Sequence, residues 1–181
     1  MSAIGGPTHP IGDPQRIFEL IKSCKEEGFQ NKEDGKRAAA MALAAPREVL
    51  AVRDHADHSP LNMATVYNCE TAFDALMIAG RYLRGADGGI VMPSVHHKDR
   101  NGHTPMHHTV FSLDTTTGKG GKVGVAVEMA RTLVEHGADV NPVDKWGKTP
   151  YQNLTSEEFA KKADPRAINR MKEALESMGA K

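Results

Sequence analysis

The amino-acid sequence predicts an all-α fold, a solenoid of stacked helix pairs, and three observations carry that prediction. Residues 99–109 (DRNGHTPMHHT) and 144–154 (DKWGKTPYQNL) are one eleven-residue phrase, and residues 54–64 (DHADHSPLNMA) are a diverged third copy. In each copy an Asp is followed five residues later by Thr or Ser and then Pro, which spells a turn, an N-cap and a proline at the first helical position. Apolar residues between the copies recur at helical spacing, and Gly137 stands where a left-handed residue would close the stretch from Ala130 to Asn141.

Taken in order, residues 1–12 read as a flexible N-terminus. Asp13 and Pro14 open a helix that carries Ile17, Leu20, Ile21 and Cys24 on one face until Gly28 ends it, the arrangement of a terminal cap. Residues 35–45 (GKRAAAMALAA) and 46–53 (PREVLAVR) form a tight Ala-rich pair, with Pro46 tolerated only where the chain turns. Residues 13–53 are therefore an N-terminal cap and a degenerate repeat. Full repeats follow over 54–98 and 99–143, and 144–181 is a last repeat serving as C-terminal cap. Phe73, Leu76, Met77 and Leu83 mark the second helix of the first full unit; Met129, Ala130, Leu133 and Val134 mark its equivalent. Asp164 and Pro165 open a final helix with Ile168, Met171, Leu175 and Met178 inward. Lys161, Lys162, Arg166, Arg170 and Lys172 give that element the polar outer face a terminal repeat requires.

The phrase DRNGHTPMHHT, followed by LVEHGADVN and DKWGKTP, resembles the ankyrin repeat with its T-P-L-H-x-A signature. Thr104, Pro105, His107, Gly137, Ala138, Asp139, Val140 and Asn141 fall where that pattern puts them. In the first copy Ser59, Pro60, Leu61 and Ala64 match, while Asp57 stands for the usual Gly and Asn62 for the usual His; the third copy has Tyr151 and Gln152 there. The resemblance implies an ankyrin-type helical solenoid of roughly four repeats with degenerate capping ends and inserted loops. It implies that His107 bonds the Thr104 side chain and the adjoining turn. It also likens Leu133–Asn141 to ankyrin segments whose Asn is hydroxylated, although the residues themselves favour an Asn141 that satisfies backbone in its own turn.

Asp54, Asp99 and Asp144 recur every 45 residues, against about 33 in the family, so each unit carries an insertion. One lies in residues 88–98 (GGIVMPSVHHK), the other in residues 112–124 (SLDTTTGKGGKVG), and loops inserted per repeat tend to map to a binding face.

With 181 residues, 39% hydrophobic and 25% charged, the chain suits one globular domain. Its 23 basic and 23 acidic residues cancel, so no long-range field of one sign draws it to nucleic acid or a membrane surface. MSAIGGPTHPIGDP lacks a basic start and an apolar core, and the Ala-rich run at 38–45 is too short to span a bilayer. A cytoplasmic protein is expected; delivery into a host cell by a non-classical route would leave no trace in the sequence. Cys24 and Cys69 occupy apolar helical positions and read as reduced, buried thiols.

A solenoid leaves a concave surface of turn tips and inner helices, which predicts binding of another protein, as scaffold or adaptor. The residues placed there are His55, His58, Arg100, Asn101, His103, Lys145, Trp146 and Lys148 on the turns and Tyr67 and Phe111 on the inner helices, with Ile90, Val91 and Met92 in the apolar loop. Trp146, the single Trp, is either an interface anchor or a shield folded over its neighbouring turn. No catalytic residue, cofactor or metal is assigned, and an enzyme is not expected. His96, His97, His103, His107 and His108 crowd into thirteen residues, and an alternative reading makes His96, His97 and His103 the ligands of a metal- or small-molecule-binding enzyme subunit. No Cys lies near them and H-E-x-x-H is absent. DTTTGKGGKVG has the Gly and Lys of a phosphate loop but not its order, since Val123 follows Lys122 where Ser or Thr is needed. A third reading is an inhibitor or antitoxin-like protein that blocks an enzyme by inserting residues 90–95.

Overall fold

A computed structural model of the chain describes residues 12–24, 29–82, 95–116 and 122–181. Among them the fold is all-α, with no strand. Gly28, Leu83, and residues 88–94 and 117–121 of the two inserted loops, with Ile90, Val91 and Met92 among them, lie outside the described residues. No described helix is long and apolar enough to cross a membrane.

The three repeated phrases start three helices: α4 (Pro60–Val66), α6 (Pro105–Phe111) and α8 (Pro150–Leu154). Each has Pro in its first turn and a Ser or Thr N-cap in extended conformation. The third residue after the cap returns the favour, because Asn62 Oδ1 accepts the Ser59 N–H at 3.2 Å, His107 Nδ1 the Thr104 N–H at 3.2 Å and Gln152 Oε1 the Thr149 N–H at 3.0 Å. Second helices follow: α5 (Glu70–Tyr82), α7 (Val123–Glu135) and, beyond the short α9 (Glu157–Ala160), α10 (Pro165–Ser177). Gly137, at φ +85°, closes α7 in a Schellman motif, with Ala138 N–H on the Leu133 carbonyl and Gly137 N–H on the Val134 carbonyl. Asp164 caps α10 through bonds from Arg166 and Ala167 N–H, and its Met171 and Leu175 are buried.

At the N-terminal end the helices pair differently from the sequence expectation. Asp13 accepts the Gln15 N–H in a preceding turn, so α1 begins later, at Arg16–Ser23; α2 runs over Phe29–Ala44 and α3 over Pro46–Ala51. The Ala-rich α2 packs on α1 and α5, so the first helix pair is α1 with α2, and α3 leads into the first turn. Ala38 and Ala42 are fully buried, and their small side chains admit close helix approach. The result is two layers stacked in chain order, α1, α4, α6 and α8 in one, α2, α5, α7 and α10 in the other. One continuous core runs between them, from Ile17 and Ile21 through Leu61, Phe73, Leu76, Met106, Val110 and Leu133 to Leu154, Met171 and Leu175.

Cys24 and Cys69 are joined in a disulfide, their Cα atoms 5.9 Å apart, which corrects the expectation of two reduced thiols. They stand 45 residues apart, one period, and stacking places equivalent positions of successive units side by side.

Candidate functional site: a cleft across three stacked turns

The turn that precedes each phrase helix is built the same way three times. Oδ1 of Asp54, Asp99 and Asp144 accepts the N–H groups two and four residues on: Ala56 and His58 at 2.8 and 2.9 Å, Asn101 and His103 at 2.7 and 3.0 Å, Trp146 and Lys148 at 2.8 and 2.9 Å. Each turn needs a left-handed residue at its fourth position, supplied by Asp57 at φ 63°, Gly102 at 78° and Gly147 at 76°. Neighbouring turns then bond edge to edge, Arg100 N–H to the Ala56 carbonyl at 3.1 Å and Lys145 N–H to the Asn101 carbonyl at 3.0 Å. Gly102 sits at one of these crossings, where a Cβ would lie 2.8 Å from the Lys145 nitrogen.

With Oδ1 committed to the turn, Oδ2 is left to face histidines: that of its own unit for Asp54, those of its own and the preceding unit for Asp99, and that of the preceding unit for Asp144. His58 spans two carboxylates, Nδ1 at 2.9 Å from Asp54 Oδ2 and Nε2 at 3.3 Å from Asp99 Oδ2. His103 repeats the pattern one unit later, Nδ1 at 3.4 Å from Asp99 Oδ2 and Nε2 at 3.8 Å from Asp144 Oδ2. His108, from inside α6, adds a third ring to Asp99 Oδ2 at 3.1 Å, and Asn153 takes the equivalent place on Asp144 at 3.1 Å. An alternating line of Asp and His thus runs along the stacked turns. Phe111 covers it, its ring centroid 4.8 Å from that of His103 and 6.5 Å from that of Phe159.

Electrostatics follow from this geometry. Burial by itself would raise the Asp99 carboxyl, but bonds from His103, His108 and His58 outweigh it and hold the group far below the ordinary carboxylate range. Asp54 and Asp144 are likewise lowered against the effect of burial, by the His58 ring and the Asn153 amide respectively, together with backbone N–H groups. Burial opposes charging His58, yet the Asp99 and Asp54 carboxylates prevail and raise it. His108, fully buried, is pushed down to about 4 by desolvation. His107 is also pushed down to about 4 by burial; its Nδ1 accepts from Thr104 while Nε2–H donates to the Lys148 carbonyl at 3.1 Å, the capping role the resemblance implied.

Asp54, His58, Asp99, His103, His108 and Asn153 form one wall of a concave cleft of about 500 Å³. Of the predicted partner-binding residues, His55, His58, Tyr67, Asn101, His103, Phe111 and Lys148 line it. Arg100, Lys145 and Trp146 do not; they stand exposed at the outer tips. Trp146 is 61% exposed, its ring 5.8 Å from His103 and 4.4 Å from the Lys145 ammonium, which itself bonds Asn101 Oδ1. The cleft also takes in residues the sequence reading missed: Asp99, His108, Asp114, Phe159 and Lys162. The 45-residue identity of Asp54, Asp99 and Asp144 was the available signal for the carboxylates.

The candidate ligand set changes as well. His96 is exposed, and His97 donates to the Asp57 carbonyl at 2.6 Å, so neither joins His103; the rings that converge with His103 are His58 and His108. Asn141 holds the C-terminal segment, its amide donating to the Gly179 carbonyl at 3.0 Å and its carbonyl accepting Lys181 N–H at 2.8 Å. No protein-family model matches the chain, and none of the curated proteins compared with it matches.

Proposed function

We propose that the chain is an ankyrin-type solenoid that recognises a partner protein through the concave face of its stacked turns. The repeat reading is supported by the three identical Asp-centred turns, their edge-to-edge bonds and the shared capping pattern of Ser59, Thr104 and Thr149. The observation that carries the binding reading is the cleft itself, about 500 Å³ and walled by side chains from successive turns and inner helices. Tyr67, Phe111 and Phe159 supply apolar and aromatic area, while Lys148, Lys162, Asp114 and Glu158 give it a rim of mixed charge. Trp146 extends that surface at the tip, where an exposed aromatic ring beside a cation suits an interface anchor. Recognition rather than reaction is the proposed activity.

The test is affinity capture from lysate with wild type, Trp146→Ala and Phe111→Ala, followed by titration of the retained protein against each purified chain. A partner held by wild type should bind each variant at least about tenfold more weakly, with melting of the Trp146 variant unchanged. Equal binding by all three chains, or a large fall in the melting temperature of the Trp146 variant, would overturn the assignment.

A further inference from the structure

Asp99 Oδ2 is approached by more imidazole nitrogens than it can serve. One carboxylate oxygen offers two lone pairs, yet His108 Nε2 at 3.1 Å, His58 Nε2 at 3.3 Å and His103 Nδ1 at 3.4 Å all face it. His58 is further constrained, because its other nitrogen is already bonded to Asp54. Something more positive than a shared proton fits the centre of this group.

We propose that His58 Nε2, His108 Nε2 and Asp99 Oδ2 form a binding site for a divalent transition-metal ion, zinc by preference, with one coordination position open to the cleft. A ligand atom from each of the three residues lies within 4.8 Å of the other two. A tetrahedral ion with bonds of about 2.0–2.1 Å has ligand-to-ligand edges of about 3.3–3.4 Å; the two edges to Asp99 are 3.3 and 3.1 Å. Two imidazoles and a carboxylate are a donor set that zinc accepts with a fourth place left for water. Asp54 stands behind His58 Nδ1 at 2.9 Å and orients the ring as a supporting carboxylate does in such sites. With Asp54 and Asp99 both ionised, the ion's two positive charges are balanced.

Position favours occupancy too. Asp99 and His108 are buried, whereas the His58 side chain is 22% exposed and all three line the cleft, so an ion enters from solvent and keeps one face toward it. Lys148, the residue equivalent to His58 and His103 one unit on, interrupts the pattern, which makes the Asp99 level the centre of the array. His108 Nδ1 is buried and has no hydrogen-bond partner, so its ligating ring lacks the supporting acceptor that His58 has. The site is therefore weaker than one with both imidazoles backed.

The test uses the full chain alone, stripped with chelator and titrated calorimetrically with zinc chloride, and with cobalt chloride followed by visible absorption. One ion per chain and the intense d–d bands of a low-symmetry cobalt centre are expected. His58→Gln and Asp99→Asn should each weaken zinc by about 100-fold or more, and His96→Ala should leave it unchanged. Asn at position 99 retains the Oδ1 acceptor that the turn needs, and the more exposed His58 variant decides alone if Asp99→Asn does not fold. Absence of zinc binding by the wild type, or binding of undiminished strength in His58→Gln, would overturn the proposal. Neither result bears on partner recognition, which is read by capture.

Discussion

His107 makes a demanding case because the chain contains its own controls. Its ring is fully buried and joins two units, accepting the Thr104 N–H at 3.2 Å and donating to the Lys148 carbonyl at 3.1 Å. Replacing it with Ala leaves the buried Thr104 N–H without an acceptor, at a cost of about 1–3 kcal/mol, and removes the bond to Lys148, worth about 1 kcal/mol. The space left by the imidazole adds about 1 kcal/mol. A loss of about 3–5 kcal/mol is a large part of the roughly 5–15 kcal/mol that holds an ordinary domain together. Gln should behave differently. Gln152 already accepts the Thr149 N–H at 3.0 Å from the same position, and Asn62 reaches the next turn's carbonyl at 3.4 Å. His107→Gln can keep both bonds and should cost about 1 kcal/mol. Urea denaturation of the full chain in chelator, with wild type, His107→Ala and His107→Gln side by side, reads the difference as a shift in midpoint at constant slope. Equal losses in the two variants would show that ring packing, not the capping bonds, is what matters there, and an Ala variant within about 1 kcal/mol of wild type would refute the argument entirely.

Two further outcomes follow from the turns and the disulfide. Gly102→Ala and Gly147→Ala both force a left-handed Ala, at about 1–2 kcal/mol, but only at Gly102 does the new Cβ meet backbone, 2.8 Å from the Lys145 nitrogen, whereas Gly147 faces open space. Thermal melting should therefore find Gly102→Ala clearly the worse, and equal melting temperatures would contradict the close stacking of the turns. Opening the Cys24–Cys69 bridge with a phosphine reductant frees a loop of 45 residues, for which chain entropy predicts a loss of about 4 kcal/mol. Denaturation with and without reductant measures it, and two thiols titrating in the untreated native protein would remove its premise.

Much of this architecture is legible along the chain because it is local. The spacing of Asp, Ser or Thr, and Pro in the phrases at 54, 99 and 144 specifies turn, cap and first helical turn within a dozen residues, and α4, α6 and α8 begin where it says. Gly137 and the Asp164–Pro165 start of α10 are equally local signals. The N-terminal pairing was not readable in this way, since α1 with α2 and α2 with α3 have similar helix patterns and only the packing of α2 on α5 separates them.

Of the site, the residue types on the turns and their recurrence every 45 positions are written along the chain: His58 and His103, and Asp54, Asp99 and Asp144. The pairs inside one turn, His58 with Asp54 and His103 with Asp99, are four residues apart and local; the pairs between units come from tertiary packing. Stacking adds an interaction between residues one period apart, and that interaction has no signature in local spacing. It joined Cys24 to Cys69 and set His58 against Asp99 and His103 against Asp144, whereas His108 meets Asp99 because α6 packs on the turn of its own unit. It also left His96 and His97 outside the cluster despite their closeness in sequence. Helix periodicity specifies which way each side chain points, and the turn itself sets His58 beside Asp54 and His103 beside Asp99; only the register of one unit on the next brings His58 to 3.3 Å from Asp99 and His103 to 3.8 Å from Asp144.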